Sequence, residues 1–243
     1  MKTSAWRTAL GLCLLASMTY PSFAASLQDK KDDEKPVTAE IKPVADEVLW
    51  NVFAAALKDA RDHEARMRVA QEAIQKDPER ALSAVAFYLG QESTRREALV
   101  FVRWHLKDSR LVPFVVEAAR RSDGRTLLEA ARTARVWDDR RFLPVLIEHA
   151  LDSNYHNIVT YPAPRGADIR DESVFGEAAA AIYAITKGWA GSDLYLRSVP
   201  FAKEERNRMI VQWRKWWAEN KAKWEAGVPF EENPDAPKKK PRV

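Results

Sequence analysis

Cysteine is almost missing from this chain of 243 residues, and the single example, Cys13, sits in an apolar N-terminal run. With that run set aside, no disulfide can form and no thiol nucleophile or thiolate metal site can be assembled. Histidine is scarce as well. His63, His105, His149 and His156 are the only four, and none forms an H-x-x-x-H or H-E-x-x-H pair, so the common zinc spacings are lacking. Asp168, Asp171 and Glu172 do not match an EF-hand loop. The GxSxG, P-loop and dinucleotide-binding fingerprints do not occur either. The expectation is a protein with no catalytic residues, no metal and no cofactor.

Other absences narrow the class further. Only eight glycines occur, and strand-like alternation is almost missing, which argues against a β-rich fold. Beyond the N-terminus no apolar run is long enough to cross a bilayer. A strong excess of one charge is missing too. The chain has 39 basic and 35 acidic residues; setting aside Lys2 and Arg7 leaves 37 against 35. Four of those cations, Lys238, Lys239, Lys240 and Arg242, crowd the far C-terminus, so the body is near neutral. The overall charge is then no argument for a nucleic-acid partner.

What is present begins with an export signal. Lys2 and Arg7 precede the apolar run Ala9–Met18, and Pro21, Ser22 and Ala24 supply a break and small residues at −3 and −1. This pattern predicts a signal peptide over residues 1–24, cleaved after Ala24, and hence a periplasmic or secreted protein. Leu12 is too large to precede a lipidated Cys13. Residues 25–44 are charged and proline-punctuated and read as a flexible linker, and 227–243 read as a disordered basic tail. Between them, residues 45–226 are expected to form one helical domain. Val48, Val52, Ala55 and Ala56 keep helical spacing, as do Leu82, Val85, Ala86 and Leu89.

The strongest signal is an internal repeat. Residues 108–119 read DSRLVPFVVEAA and residues 139–150 read DRRFLPVLIEHA, an offset of 31. A period of that size marks stacked helical hairpins that cannot cover their apolar faces alone. Asp108 and Asp139 are expected to cap the first helices, with Pro113 and Pro144 in their early turns. DGRTLLEAARTARVW (123–137) and ESVFGEAAAAIYAITKG (172–188) are expected to be the second helices, both carrying Glu-Ala-Ala.

These residues resemble the short HEAT-like repeats of the phycobilisome-lyase type, most clearly over residues 108–188. The resemblance implies an all-α fold: a right-handed α-solenoid of antiparallel helix pairs whose second helices line a concave face used for protein contacts. It says almost nothing of activity.

The spacing also locates an insert. Glu129 and Glu177 stand 48 apart where the repeat would have 31, so residues 152–171 form a rim insert that interrupts one unit. Tyr155, His156, Tyr161 and Arg165 in it could meet a partner, or could anchor the loop to its own scaffold. On the second helix before it, Arg125, Arg132 and Arg135 belong to a stretch with seven arginines and four acids, 120–141. They could recognise carboxylates or phosphates, or form a solvated face with Glu129–Arg132 support. Near the C-terminus, Trp213, Trp216, Trp217 and Trp224 share one arc of about 120° with Met209 and Ile210. That arc suits a helix capping the stack. The sequence thus favours a non-enzymatic module binding a protein partner through the concave face and insert. The alternative is a cell-wall glycan-binding module using the tryptophan-rich end.

Overall fold

The computed structural model describes residues 40–58, 63–163, 166–188 and 203–230, with 158–163 and 166–171 described as backbone. The expected signal peptide, most of the expected linker and residues 231–243 of the expected tail lie outside them. The described residues are mostly helical. The helices are α1 (Glu47–Ala56), α2 (His63–Lys76), α3 (Pro78–Gly90), α4 (Arg95–His105), α5 (Val112–Arg120), α6 (Gly124–Trp137), α7 (Leu143–Glu148), α8 (Val174–Ile185) and α9 (Lys203–Glu225). Short 3-10 turns at Ser109–Leu111 and Arg140–Phe142 lead into α5 and α7.

Consecutive helices pair, α1 with α2, α3 with α4, α5 with α6 and α7 with α8. The first members of the pairs also pack on one another in chain order, while α4, α6 and α8 pack side by side. The sequence explains the order. An aspartate caps the first helix of every pair: Asp46 accepts from the Leu49 N–H, Asp77 from Arg80, Asp108 from Arg110 and Asp139 from Arg141. These four aspartates are spaced by 31 residues each time. Each carboxylate satisfies an amide that the first turn leaves without a partner. The repeat therefore begins two units earlier than the 108–150 match shows.

An arginine beside each later cap links its pair to the one before. The Arg80 guanidinium is paired with Asp46. Arg110 holds Asp108 and reaches Glu79 at 2.8 Å, and Arg141 holds Asp139 and donates to the Ser109 carbonyl at 2.9 Å. Burial alone would raise the Asp108 and Asp139 carboxyls, but the bonds from Arg110 and Arg141 outweigh it and hold both below the usual carboxylate range. Arg95, buried, donates to the Leu89, Gly90 and Arg121 carbonyls. It closes the last turns of α3 and α5 together, where helix ends have carbonyls to spare.

The core runs through the helix pairs, with Phe53, Leu82, Leu99, Phe101, Leu111, Leu128, Phe142 and Ile147 fully buried. The expected face of α3 is buried as read. On α1 the helix is right but the face differs: Leu49, Trp50, Phe53 and Ala56 point inward and Val48 is 75% exposed. Trp50 stacks on Tyr88 at 4.5 Å and Phe53 on Phe101 at 4.4 Å, and these aromatic contacts set the rotation of α1.

The fold also extends slightly past both ends of the expected domain. Ile41 is buried, and the Lys42 carbonyl accepts from the Ser83 hydroxyl. At the other end, Phe230 lies against Trp216, and the Val228 carbonyl accepts from Arg140 at 2.9 Å. Helix α9 packs on α7. Trp213 and Trp217 are 3% and 5% exposed, and Trp216 and Trp224 are half-buried against the same core. The indoles are turned inward as the arc predicts, and Asn220 bonds locally to the Trp216 carbonyl.

The insert departs from the helical pattern. Residues His156–Ala163 (β1) and Gly166–Ser173 (β2) form an antiparallel hairpin in which His156 pairs with Ser173 and Ala163 with Gly166. The run Ile158-Val159-Thr160-Tyr161 is rich in β-branched and aromatic types, which suits extended backbone. That local signal is easily passed over in a sequence otherwise dominated by helical period.

Candidate functional site

Helices α4, α6 and α8 lie side by side and turn one surface away from the first-helix layer. Under that surface is a chain of charges. Glu129 on α6 receives Arg103 of α4 at 2.6 Å and Arg132 at 3.0 Å. Arg132 also pairs with Glu172, at the base of β2, and lies 3.6 Å from Glu177 on α8. Arg135 reaches the other oxygen of Glu177 at 2.9 Å. The side chains of Arg103 and Glu129 are each only 9% exposed. Their pairing is needed because an isolated buried charge is strongly disfavoured.

The electrostatics follow from that geometry. Burial pulls the Arg103 guanidinium below its ordinary value, with Glu129 opposing the effect. For Arg132 burial acts in the same direction, yet Glu172, Glu129 and Glu177 together outweigh it and raise its value. Both side chains remain cations. The arrangement ties three helices and the hairpin into one charged floor.

The three arginines singled out in the sequence therefore have different roles in the fold. Arg132 is locked in the floor by three carboxylates, so it is a positioning residue for the hairpin rather than an open contact. The expected Glu129–Arg132 support exists, although the pair is sheltered and not solvated. Arg135 is exposed but engaged with Glu177. Arg125 is exposed and, among the described residues, makes no hydrogen bond or ion pair.

Sequence reasoning missed Trp104. This indole is 63% exposed on the outer side of α4, with the Arg103 guanidinium 5.0 Å from its ring centre. Lys107 just beyond it donates to the Val136 carbonyl of α6 at 3.4 Å, and Val136 is itself exposed. Trp104 with Arg103 near the end of α4, and Lys107 bonded to the end of α6, are thus two separate contacts. The signal was available: Trp104 stands about 200° around the helix from buried Val102.

The insert residues divide as well. Tyr155 is half-buried against the core, and its ring meets Gly124 at the start of α6, where a φ of +45° and the close ring favour glycine. Its carbonyl accepts from Val174. Arg206 of α9 grips the same foot of the hairpin, donating to Asn154 Oδ1 at 2.6 Å and to the Leu151 and Ser153 carbonyls. Tyr155 is therefore an anchor. His156 is exposed at the start of β1. The Tyr161 side chain and Arg165 lie outside the described residues.

Among the described residues, no three His, Cys, Asp or Glu side chains gather closely enough to hold a metal ion, and no helix is long and apolar enough to cross a membrane. His149 Nε2 donates to the Ser122 carbonyl at 2.9 Å, and so serves the packing of α7 on α5.

Comparison settles no family. No protein-family model, curated protein or solved structure matches the chain.

Proposed function

We propose that this protein is an exported, non-enzymatic interaction module, a right-handed α-solenoid of HEAT-like helix pairs that binds a protein partner on its second-helix face. The repeated aspartate caps at a spacing of 31 and the side-by-side α4, α6 and α8 support the solenoid reading. The observation that carries the binding reading is Trp104, an indole left 63% exposed with the Arg103 guanidinium over its ring. Tryptophan and arginine are the residue types that most often dominate binding energy, and a large exposed aromatic set in a rigid floor loses little freedom on docking. Arg125 and Arg135 extend the surface along α6, and the hairpin emerges at its rim. The signal-peptide pattern of residues 1–24 supports a periplasmic or secreted location.

The experiment is co-purification from the native compartment after crosslinking, with wild type, Trp104→Ala, Arg125→Glu and the double variant. The expected result is a partner whose recovery falls about tenfold or more in Trp104→Ala, as loss of a dominant contact requires, while thermal stability is unchanged. Recovery of the same partners by all four proteins would refute the reading. The glycan-binding alternative would use four indoles, of which Trp213 and Trp217 are in the core and Trp216 and Trp224 are half-buried against it, so little aromatic surface is left to support it.

A further inference from the structure

We infer that the hairpin is a self-association element: β1 takes the β1 strand of a second copy of this chain, giving a four-stranded antiparallel sheet across a two-fold axis at Val159. This inference is independent of the second-helix face. It starts from the sheet itself, which contains only β1 and β2. Eight residue pairs are in register from His156–Ser173 to Ala163–Gly166. Two strands alone are marginal in water, and three or more are needed for a sheet that holds itself. Among the described residues each strand keeps one edge without a neighbour, and such an edge is a template for another strand.

The backbone identifies which main-chain groups face outward. Pro162 has no N–H, and a proline inside a strand belongs where the chain turns away from its partner. Main-chain direction alternates along a strand. Ile158 and Thr160 therefore share the outward side with Pro162, while Asn157, Val159 and Tyr161 exchange bonds with β2. The pair Ala163–Gly166 next to the connection falls in the bonded set by the same count, as a two-residue hairpin connection requires. The open edge of β1 thus offers two N–H and two C=O groups, from Ile158 and Thr160.

A second β1 fits that edge antiparallel. With Val159 on the axis, Ile158 stands opposite Thr160 of the other copy and Thr160 opposite its Ile158, and each pair exchanges two hydrogen bonds. Asn157 falls opposite Tyr161, and Pro162 ends the ladder opposite His156. The segment from 157 to 163 has no charged residue, so no like charges oppose one another. β2 is the less suitable edge. It carries Asp168, Arg170, Asp171 and Glu172, charges of the kind that guard natural edges. Glu172 is also tied to Arg132 of the scaffold. A two-fold, self-complementary contact is the commonest form of assembly.

The test is sedimentation velocity of the processed chain over a range of concentrations, with two proline variants. Thr160→Pro removes an outward N–H and leaves the β1–β2 ladder intact. Ile169→Pro makes the same change on the outer edge of β2, since Thr160 pairs with Ile169. The expected result is a wild type that reaches the mass of two copies, a Thr160→Pro protein that stays at one with unchanged helical circular dichroism, and an Ile169→Pro protein that still doubles. Should Thr160→Pro fail to fold, Val159→Cys provides a second route. Its cysteines meet at the axis and should give a disulfide-linked dimer under oxidation, because the only native cysteine is Cys13. A wild type of single mass throughout, doubling that survives in folded Thr160→Pro, doubling lost only in Ile169→Pro, or no linked dimer from Val159→Cys would each overturn the proposal.

Discussion

Replacing Glu129 by alanine should be among the most damaging single changes outside the apolar core. Glu129 is the only carboxylate paired with Arg103 among the described residues, at 2.6 Å, and both side chains are 9% exposed. The Arg103 Nε is already buried without a hydrogen-bond partner. Removing Glu129 leaves a sheltered guanidinium with no carboxylate in contact and only the more distant Glu177 acting on it, a change that typically costs about 3–5 kcal/mol. Arg132 loses less, because Glu172 and Glu177 remain. For a domain of this size about 1 kcal/mol moves the melting temperature by roughly 2–4 °C, so a fall of roughly 10 °C is expected. The companion double variant, Arg103→Met with Glu129→Leu, removes both charges and refills the space. It should return to within about 1 kcal/mol of wild type, since well-packed apolar replacements of buried ion pairs are often neutral. Urea unfolding followed by circular dichroism reads all three proteins. A Glu129→Ala protein within about 1 kcal/mol of wild type, or a double variant no better than the single, would refute the uncompensated-charge argument.

Three further outcomes check other parts of the fold. Asp108 and Asp139 have carboxyls held below their unfolded value of about 3.9, so on acidification the unfolded chain takes up protons first. Their contribution to stability is complete above that value and is lost as pH falls through the lower folded values. Urea midpoints between pH 2 and 5 should therefore decline with falling pH, and the decline should be shallower in an Asp108→Asn, Asp139→Asn protein. Trp217→Ala on α9 removes a buried indole that donates to Glu148 at 3.2 Å and should cost about 3–5 kcal/mol, read by thermal melting. Leu49→Ala should cost about 2–5 kcal/mol, whereas Val48→Ser next to it should stay within about 0.5 kcal/mol, because only Leu49 faces the core.

Much of this architecture is legible before any coordinates. Helical period, aspartate caps and the 31-residue offset identify the helices, their pairing and the place of the insert, because these features depend on local chemistry that repeats. The tryptophan arc of α9 is legible for the same reason: with Met209 and Ile210 it forms one clear stripe. The face of α1 is not, since Val48, Leu49, Val52 and Phe53 make it apolar on several sides, and stacking of Trp50 on Tyr88 decides its rotation. The hairpin is hidden by its shortness and its charged second strand.

The site is harder to read than the fold. Arg125, Arg132 and Arg135 look alike in sequence, and only the positions of Glu172 and Glu177 separate the locked arginine from the open one. Both carboxylates lie 40 or more residues from Arg132 along the chain, too far for any spacing rule. Tyr155 looks like a contact residue until Gly124 is placed beneath its ring. Trp104 belongs to no repeat or stripe that the sequence marks, and its exposure is plain only in the fold.

The central claim is that Trp104 marks a surface on which a protein partner docks. It is tested most directly by site-specific photo-crosslinking in the living cell, with the probe placed at position 104 and, as a control, at Val211, which is 67% exposed on α9. The account predicts a discrete adduct from position 104 that is missing from position 211. No adduct from position 104, or the same adducts from both positions, would contradict it.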